Sequence, residues 1–180
     1  TQSEFETEQF ALHLNRLICE EMTATGKDGV MFLCIGTDRS TGDSLGPLIG
    51  HKLRGRRLAG AAVIGTLDKP VHAMNLDLYA RYIKLHYPDY VVVAIDASVG
   101  SPDHVGYATL GRGALQPGLG VSKNLEAVGD ISITGIVGGA GSRDPVMLQS
   151  VRLSIVMKMA DCICEGICLV ERLWDNAAII

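Results

Sequence analysis

Two carboxylates stand where apolar runs of this chain end. The run at 30–35 gives way to Gly36-Thr-Asp-Arg-Ser-Thr-Gly-Asp-Ser-Leu-Gly-Pro47, which carries Asp43, and the run at 90–95 stops at Asp96. Open α/β sheets bind ligands in the crevice outside the carboxyl ends of their strands, so acids there are candidates for chemistry. Two carboxylates sharing one partly desolvated cleft have their proton affinities pushed apart, so one can act as acid and the other as base on a bound water. The same pair of oxygen donors can hold a divalent metal ion. Taken singly, each acid fits a structural role equally well: Asp beside Gly satisfies turn amides, and Asp at a strand end bonds the next loop.

Other chemistries are written in the same letters. Glycines after a strand suggest a phosphate loop, but Gly36 and Gly42 enclose five residues where four are needed, and Asp43 stands where a Lys should be. No GxGxxG accompanies Asp68 as a ribose-binding acid. Gly42-Asp-Ser-Leu-Gly46 is a literal GxSxG that would make Ser44 a nucleophile. An elbow of that kind joins its strand directly, whereas residues 37–42 intervene here, and the last histidine is His104 rather than one near the chain end.

The elements that must position these residues alternate. Apolar residues at helical spacing over 4–24 predict an amphipathic helix ending near Gly26. Strands are predicted at 30–35, 61–66 and 90–95, with helices at 47–57 and 73–86 between them. Pro47 is placed at the first helical position with Gly46 as N-cap, which leaves Asp43 in the loop. Further strands at 105–110 and 131–137 flank a Gly- and Pro-containing loop at 116–120, and 145–174 reads as a helix that is apolar all round. The pattern predicts a mostly parallel mixed sheet covered by helices on both faces, with 105–110 antiparallel because it follows Asp96 too closely for a crossover.

Composition narrows the function. At 180 residues with 47% hydrophobic side chains, the chain is expected to form one domain spanning 1–180. Sixteen Lys and Arg against twenty Asp and Glu, with no basic run longer than Arg54-Gly-Arg-Arg57, argue against a nucleic-acid partner. Residues 1–8 show no signal-peptide pattern, and the apolar stretch 153–170 is interrupted by Lys158, Asp161 and Glu165, so neither export nor a membrane span is expected. Five unpatterned cysteines then read as reduced cytoplasmic thiols, with Cys162, Cys164 and Cys168 as small packing residues rather than metal ligands. The apolar C-terminal helix predicts a homo-oligomer.

Several residues form a second tier. His72 follows the second strand on the same sheet edge as Asp43, and His104 lies just past Asp96. Asp38 could pair with Arg39 to set the first loop, while Gly118, Gly120, Lys123 and Asn124 could offer backbone N–H groups and one cation to a substrate carboxylate or developing oxyanion. Asp38, Gly42, His72, Gly118, Gly120, Lys123 and Asn124 make up the expected substrate-binding set.

A resemblance joins these residues. The segment 36–47, Gly65-Thr-Leu-Asp-Lys-Pro-Val-His-Ala73, Ile95-Asp-Ala-Ser98, Pro117-Gly-Leu-Gly-Val-Ser-Lys-Asn124 and Gly129-Asp-Ile-Ser-Ile-Thr-Gly135 resemble the YyaC-type sporulation proteins of endospore-forming bacteria. That family is more distantly similar to the germination protease and the hydrogenase maturation endopeptidases. The resemblance implies a three-layer α/β/α sandwich of phosphorylase/hydrolase type. It places the two catalytic aspartates of the germination protease on Asp43 and Asp96. In the hydrogenase enzymes, acids at these positions join a histidine to recognise nickel, and no residue here is matched to that histidine. The expectation is a sporulation peptidase with Asp43 and Asp96 as catalytic acids or as ligands of a divalent metal, acting on a protein or peptide. A non-enzymatic peptide- or metal-binding regulator on the same fold is the alternative, and a serine hydrolase through Ser44 is the third reading.

Overall fold

The computed structural model describes residues 2–56, 58–117, 126–139 and 146–177. Ten elements follow one another: α1 (Gln2–Thr25), β1 (Gly29–Cys34), α2 (Leu45–Arg56), β2 (Ala61–Ile64), α3 (Leu76–His86), β3 (Tyr90–Gly100), β4 (Ala108–Arg112), β5 (Ile131–Gly139), α4 (Val146–Gln149) and α5 (Leu153–Ala177). The strands form one sheet in the order β2-β1-β3-β5-β4. The first four run parallel and β4 runs antiparallel to β5, as the spacing predicts.

Strand alternation divides the apolar residues between two cores. Val30, Phe32, Cys34, Val91, Val93, Ile95, Ile131 and Ile133 face one side, where α1, α2 and α5 cover them. Met31, Leu33, Ile35 and Ala94 face the other, beneath Leu76 and Ile83 of α3 and the bridge between Leu115 and Val128. The result is a three-layer α/β/α sandwich. Parallel strands buried on both faces have no polar side to show, which is why β1 and the first half of β3 read as unbroken apolar runs.

The path of the chain creates a crevice. From β1 the chain crosses to β2 on one side, whereas β3, the other neighbour of β1, leads onward to β5 on the opposite side. Strand order therefore reverses between β1 and β3, and α2 and α3 lie on opposite faces of the sheet. Adjacent strands whose connections part in this way leave an opening above their carboxyl ends.

Several boundaries differ from the sequence prediction. Helix α2 starts at Leu45, preceded by a 3-10 turn at Gly42–Ser44, so Gly46 and Pro47 lie inside the first helical turn rather than at its cap. Proline is tolerated there because the early helical N–H groups have no partner to lose. Strand β3 continues through Asp96 to Gly100, since Asp96 to Ser98 pair with Thr134 to Ile136 of β5. Strand β4 is shifted to 108–112, because Pro102–His104 forms a 3-10 turn.

The C-terminal helix is two helices, and α5 is amphipathic. Val156, Met159, Ala160, Ile163, Cys164, Ile167 and Val170 are buried, whereas Leu153, Lys158, Asp161 and Cys162 are exposed. Its apolar stripe is spent on the protein's own core, so this helix no longer argues for an oligomer. Among the described residues no helix is long and apolar enough to cross a membrane.

Helix α2 sits unusually close to the strand ends. A Cβ on Gly46 would overlap the carbonyl of Ile35, and one on Gly50 would overlap the carbonyl of Gly65. These glycines, one helical turn apart, let the helix backbone rest directly on the loops after β1 and β2. Gly50→Ala is expected to lower stability by about 1–3 kcal/mol, the usual cost of overpacking, measured by urea denaturation. Gly55→Ala, in the same helix with open space around it, is expected to be neutral or stabilising.

Candidate active site

Asp43 sits in the 3-10 turn that carries the chain from β1 into α2. The turn is built by its own residues: the Ser44 N–H donates to the carbonyl of Ser40 at 3.0 Å, and Ser44 Oγ donates to the carbonyl of Thr41 at 2.6 Å. Gly36 adopts φ +140°, a conformation that favours glycine, and a Cβ there would overlap the carbonyl oxygen of Asp43. The Thr37 N–H donates to that carbonyl at 3.1 Å. The loop thus folds back over its own start and holds Asp43 half-buried above the end of β1.

Asp96 reaches the same place from the neighbouring strand. Cys34 pairs with Ile95, and the Ile35 N–H donates to the carbonyl of Ile95 at 2.7 Å, so Asp96 lies level with the exit of β1. Alternation along β3 turns Asp96 toward the α3 side, as for Val92 and Ala94. It is only 8% exposed, and its Oδ1 accepts the N–H of Ala97 at 2.8 Å.

The two acids interact electrostatically. Desolvation pushes the Asp96 carboxyl well above the usual carboxylate range, the nearby Asp43 charge pushes it further, and the Ala97 N–H offsets part of the rise. Asp43 is also raised by desolvation, but the Thr37 N–H and the charge of His72 pull it back down. Asp96 is therefore the group that keeps its proton, and Asp43 the one that gives it up first.

His72 belongs to this cluster by construction of the sheet. Ile35 and Val71 form a parallel bridge, and the Gly36 N–H donates to the carbonyl of Val71 at 2.8 Å, which carries the loop after β2 alongside the Asp43 loop. Asn75 clamps that loop, its Oδ1 accepting the His72 N–H at 2.8 Å and its Nδ2 donating to the carbonyl of Pro70 at 3.1 Å. His72 Nδ1 accepts the Met74 N–H at 3.3 Å, which leaves Nε2 to carry the ring proton in the neutral form.

The remaining candidates divide clearly. Asp38 and Arg39 are exposed, and no ion pair joins them. Gly42 is buried, and a Cβ there would press on Leu148 and Val137 within 3.1 Å, so close packing accounts for that glycine. The Ser44 hydroxyl is engaged by the Thr41 carbonyl within the turn. His104 is exposed and packs edge-on against Tyr107, and Asp68 is an exposed turn residue. Gly118, Gly120, Lys123 and Asn124 lie outside the described residues. The base of their segment is the two-bond ladder between Leu115 and Val128, at 2.8 and 2.9 Å, on the Asp96 side of the sheet.

Two polar residues of the crevice were not singled out from the sequence. Thr134 pairs directly with Asp96 across β3 and β5, so both side chains point to the same face. Ser40 Oγ, in the Asp43 loop, is buried without a hydrogen-bond partner among the described residues. Thr134 becomes visible only with the strand register, and Ser40 only with the fold of the turn.

The cysteines belong to the packing. Cys34 and Cys164 are buried, and burial raises both thiols, Cys164 to about 12. Protonated thiols of this kind are inert. Among the described residues no three His, Cys, Asp or Glu side chains converge closely enough to cage a metal ion. Among the described residues, Asp43 and Asp96 are the two oxygen donors this crevice would offer such an ion.

Comparison with known proteins agrees with this architecture. The chain is 47% identical over 150 residues to the uncharacterized protein YyaC of Bacillus subtilis (strain 168), an alignment covering 83% of this chain and 72% of that protein. Its fold matches the crystal structure of the [NiFe] hydrogenase maturation protease HycI from Thermococcus kodakarensis KOD1 with a TM-score of 0.54. That match has 16% sequence identity and covers 82% of this chain and 95% of the other. Residues 2–166 match the model of the family DUF1256, described as a protein of unknown function, and the chain belongs to that family.

Proposed function

We propose that this protein is a peptidase-like hydrolase of sporulating cells, in which Asp43 and Asp96 activate water against a peptide bond. The observation that carries the reading is the burial of Asp96 beside Asp43 where strand order reverses. Keeping a carboxyl out of water next to a second carboxyl costs stability, and strain of that kind concentrates at functional sites. The likeness to a maturation protease supports the fold on which such a site is built.

The steps follow from the asymmetry of the two acids. Ionised Asp43 takes a proton from a water molecule held between the carboxyls, and the water oxygen bonds to the carbonyl carbon of the substrate. Protonated Asp96 donates its proton to the carbonyl oxygen as the double bond opens, giving a neutral gem-diol. Proton transfer from Asp43 to the amide nitrogen then lets the C–N bond break. One gem-diol hydroxyl returns its proton to Asp96 as the carboxylic acid product forms. Asp43 is again ionised and Asp96 again protonated, and one water has been consumed. The charge of His72 favours ionised Asp43. None of these steps is routed through a metal.

Asp43→Asn and Asp96→Asn are each expected to slow cleavage by roughly a hundredfold to ten-thousandfold. The assay is incubation with proteins extracted from spores, with new termini read by mass spectrometry. Cleavage at wild-type rate in both variants would refute the paired-acid mechanism, and specific peptide capture without cleavage by the wild type would identify a binding protein instead.

The pH dependence has a definite sign. Activity needs Asp43 ionised and Asp96 protonated, so the rate should rise and then fall with pH. Because His72 lowers Asp43, His72→Ala should move the rising limb to higher pH while leaving the substrate cut sites unchanged.

Stability is expected to oppose activity. The folded-state pKa of Asp96 lies above its unfolded value, so between the two values the folded protein binds more protons and wild-type stability falls as pH rises. Asp96→Asn removes that penalty, about 1.4 kcal/mol per unit of pKa difference. It should melt at higher temperature than wild type at neutral pH, with the gap closing as pH falls into the ordinary carboxylate range. Calorimetry across pH measures this directly.

A further inference from the structure

Helix α3 is apolar on two sides. Its inner face buries Leu76 and Ile83 against the sheet, with Tyr79 and Ala80 packed beside them. Its outer side carries Leu78, Tyr82 and Leu85, which are 66%, 44% and 75% exposed, and Met74 just before the helix is 73% exposed. Spaced four, four and three residues apart, these side chains form one stripe along the helix. They are half of the eight large hydrophobic side chains that stand exposed among the described residues, so the apolar surface is concentrated here rather than scattered. An ordinary surface helix has a polar outer face, and a contiguous exposed stripe marks an interaction site.

The charges beside the stripe indicate what it binds. Asp77 near the start of α3, Arg81 at its middle and Lys84 near its end lie on one flank of the stripe. Asp77 and Lys84 are exposed, and neither takes part in an ion pair among the described residues. Arg81 Nε donates to the carbonyl of Asp77 at 3.2 Å, back along its own helix.

We propose that α3 is a homodimer interface, packed antiparallel against α3 of a second copy of this chain. A two-fold axis across two antiparallel helices brings the same flank of each together with its direction reversed. Asp77 of each copy then meets Lys84 of the other. Positions 77 and 84 are almost symmetric about the point midway between Leu78 and Tyr82, so the axis that joins the two apolar stripes also joins Asp77 to Lys84, while Arg81, drawn back along its own helix, lies beside the axis. Parallel packing would put the charged flanks of the two copies on opposite sides of the seam, where Asp77 and Lys84 could not meet. An anionic lipid surface would favour a uniformly basic flank, and Asp77 spoils one.

The test uses the full chain in light scattering coupled to size exclusion and in sedimentation velocity. The wild type is expected to dimerise at micromolar concentrations, and Leu85→Asp to weaken the dimer by roughly a hundredfold or more. Asp77→Lys and Lys84→Asp should each weaken it by about tenfold through two lost ion pairs and new like-charge contacts. The double reversal Asp77→Lys/Lys84→Asp should recover wild-type affinity, a result that a merely destabilised fold would not give. Leu153→Asp, at the exposed start of α5, should leave the dimer intact. A wild type that stays monomeric, a dimer indifferent to Leu85→Asp, or a double reversal no tighter than the single variants would each overturn the proposal.

Discussion

The candidate site depends on how closely α2 approaches the sheet. Gly46 and Gly50 remove the side chains that would otherwise hold the helix away from the carbonyls of Ile35 and Gly65. With the helix seated there, the segment 36–44 doubles back over the end of β1, the Thr37 N–H donating to the carbonyl of Asp43. Gly36 allows that reversal, because its φ of +140° is one that other residues rarely adopt. Asp43 is consequently presented toward β3 rather than toward water. The glycines that resemble a phosphate loop in the sequence therefore serve backbone packing, and the Asp43 carboxylate occupies the position above the strand.

A second constraint comes from strand length. Strand β1 stops at Cys34, whereas β3 runs on to Gly100 with β5 as its partner. Asp96 thus has a hydrogen-bonded strand on one side and the end of a shorter strand on the other. Its backbone is fixed by the ladder while its side chain stands on the α3 face beside the end of β1. A carboxyl in that position is rigid and poorly hydrated, and neither property would arise at a true strand terminus. Rigidity matters for proton transfer, since donor and acceptor must stay within hydrogen-bonding reach.

The apolar runs that become β1 and β3, and the acids at or near their ends, are legible in the sequence, as are the sheet's parallel character and its antiparallel edge. Periodicity and burial agree there, because buried parallel strands contain few residues of any other type. The adjacency of β1 and β3 is not legible, because strand order is a tertiary property, and with it the convergence of Asp43 and Asp96 stays conditional. The start of α2 is misplaced for a related reason: Pro47 marks a first helical turn, but any early position in that turn tolerates it. Apolarity over 145–174 conceals the break at 150–152 and the amphipathic character of α5, since exposed Leu153 and Cys162 read the same as buried Ile163 and Cys164. Thr134 and Ser40 carry no signal of their own in the sequence, being ordinary residues given a role by register and by a turn.

The same logic explains why the acids differ in role although they are the same residue type. Asp43 enters on a 3-10 turn at the rim, half-buried, with the Thr37 N–H and His72 to stabilise its charge. Asp96 enters from the floor of the crevice with one amide, Ala97, and the like charge of its neighbour Asp43. Exchanging the side chains would change nothing, because each carboxyl takes its proton affinity from where the backbone delivers it. The division into base and acid is therefore a consequence of topology: the loop after β1 reaches solvent, and the continuing strand β3 does not. A fold in which β1 and β3 ended at the same level would expose both acids equally and lose the asymmetry on which the proposed proton transfers rest.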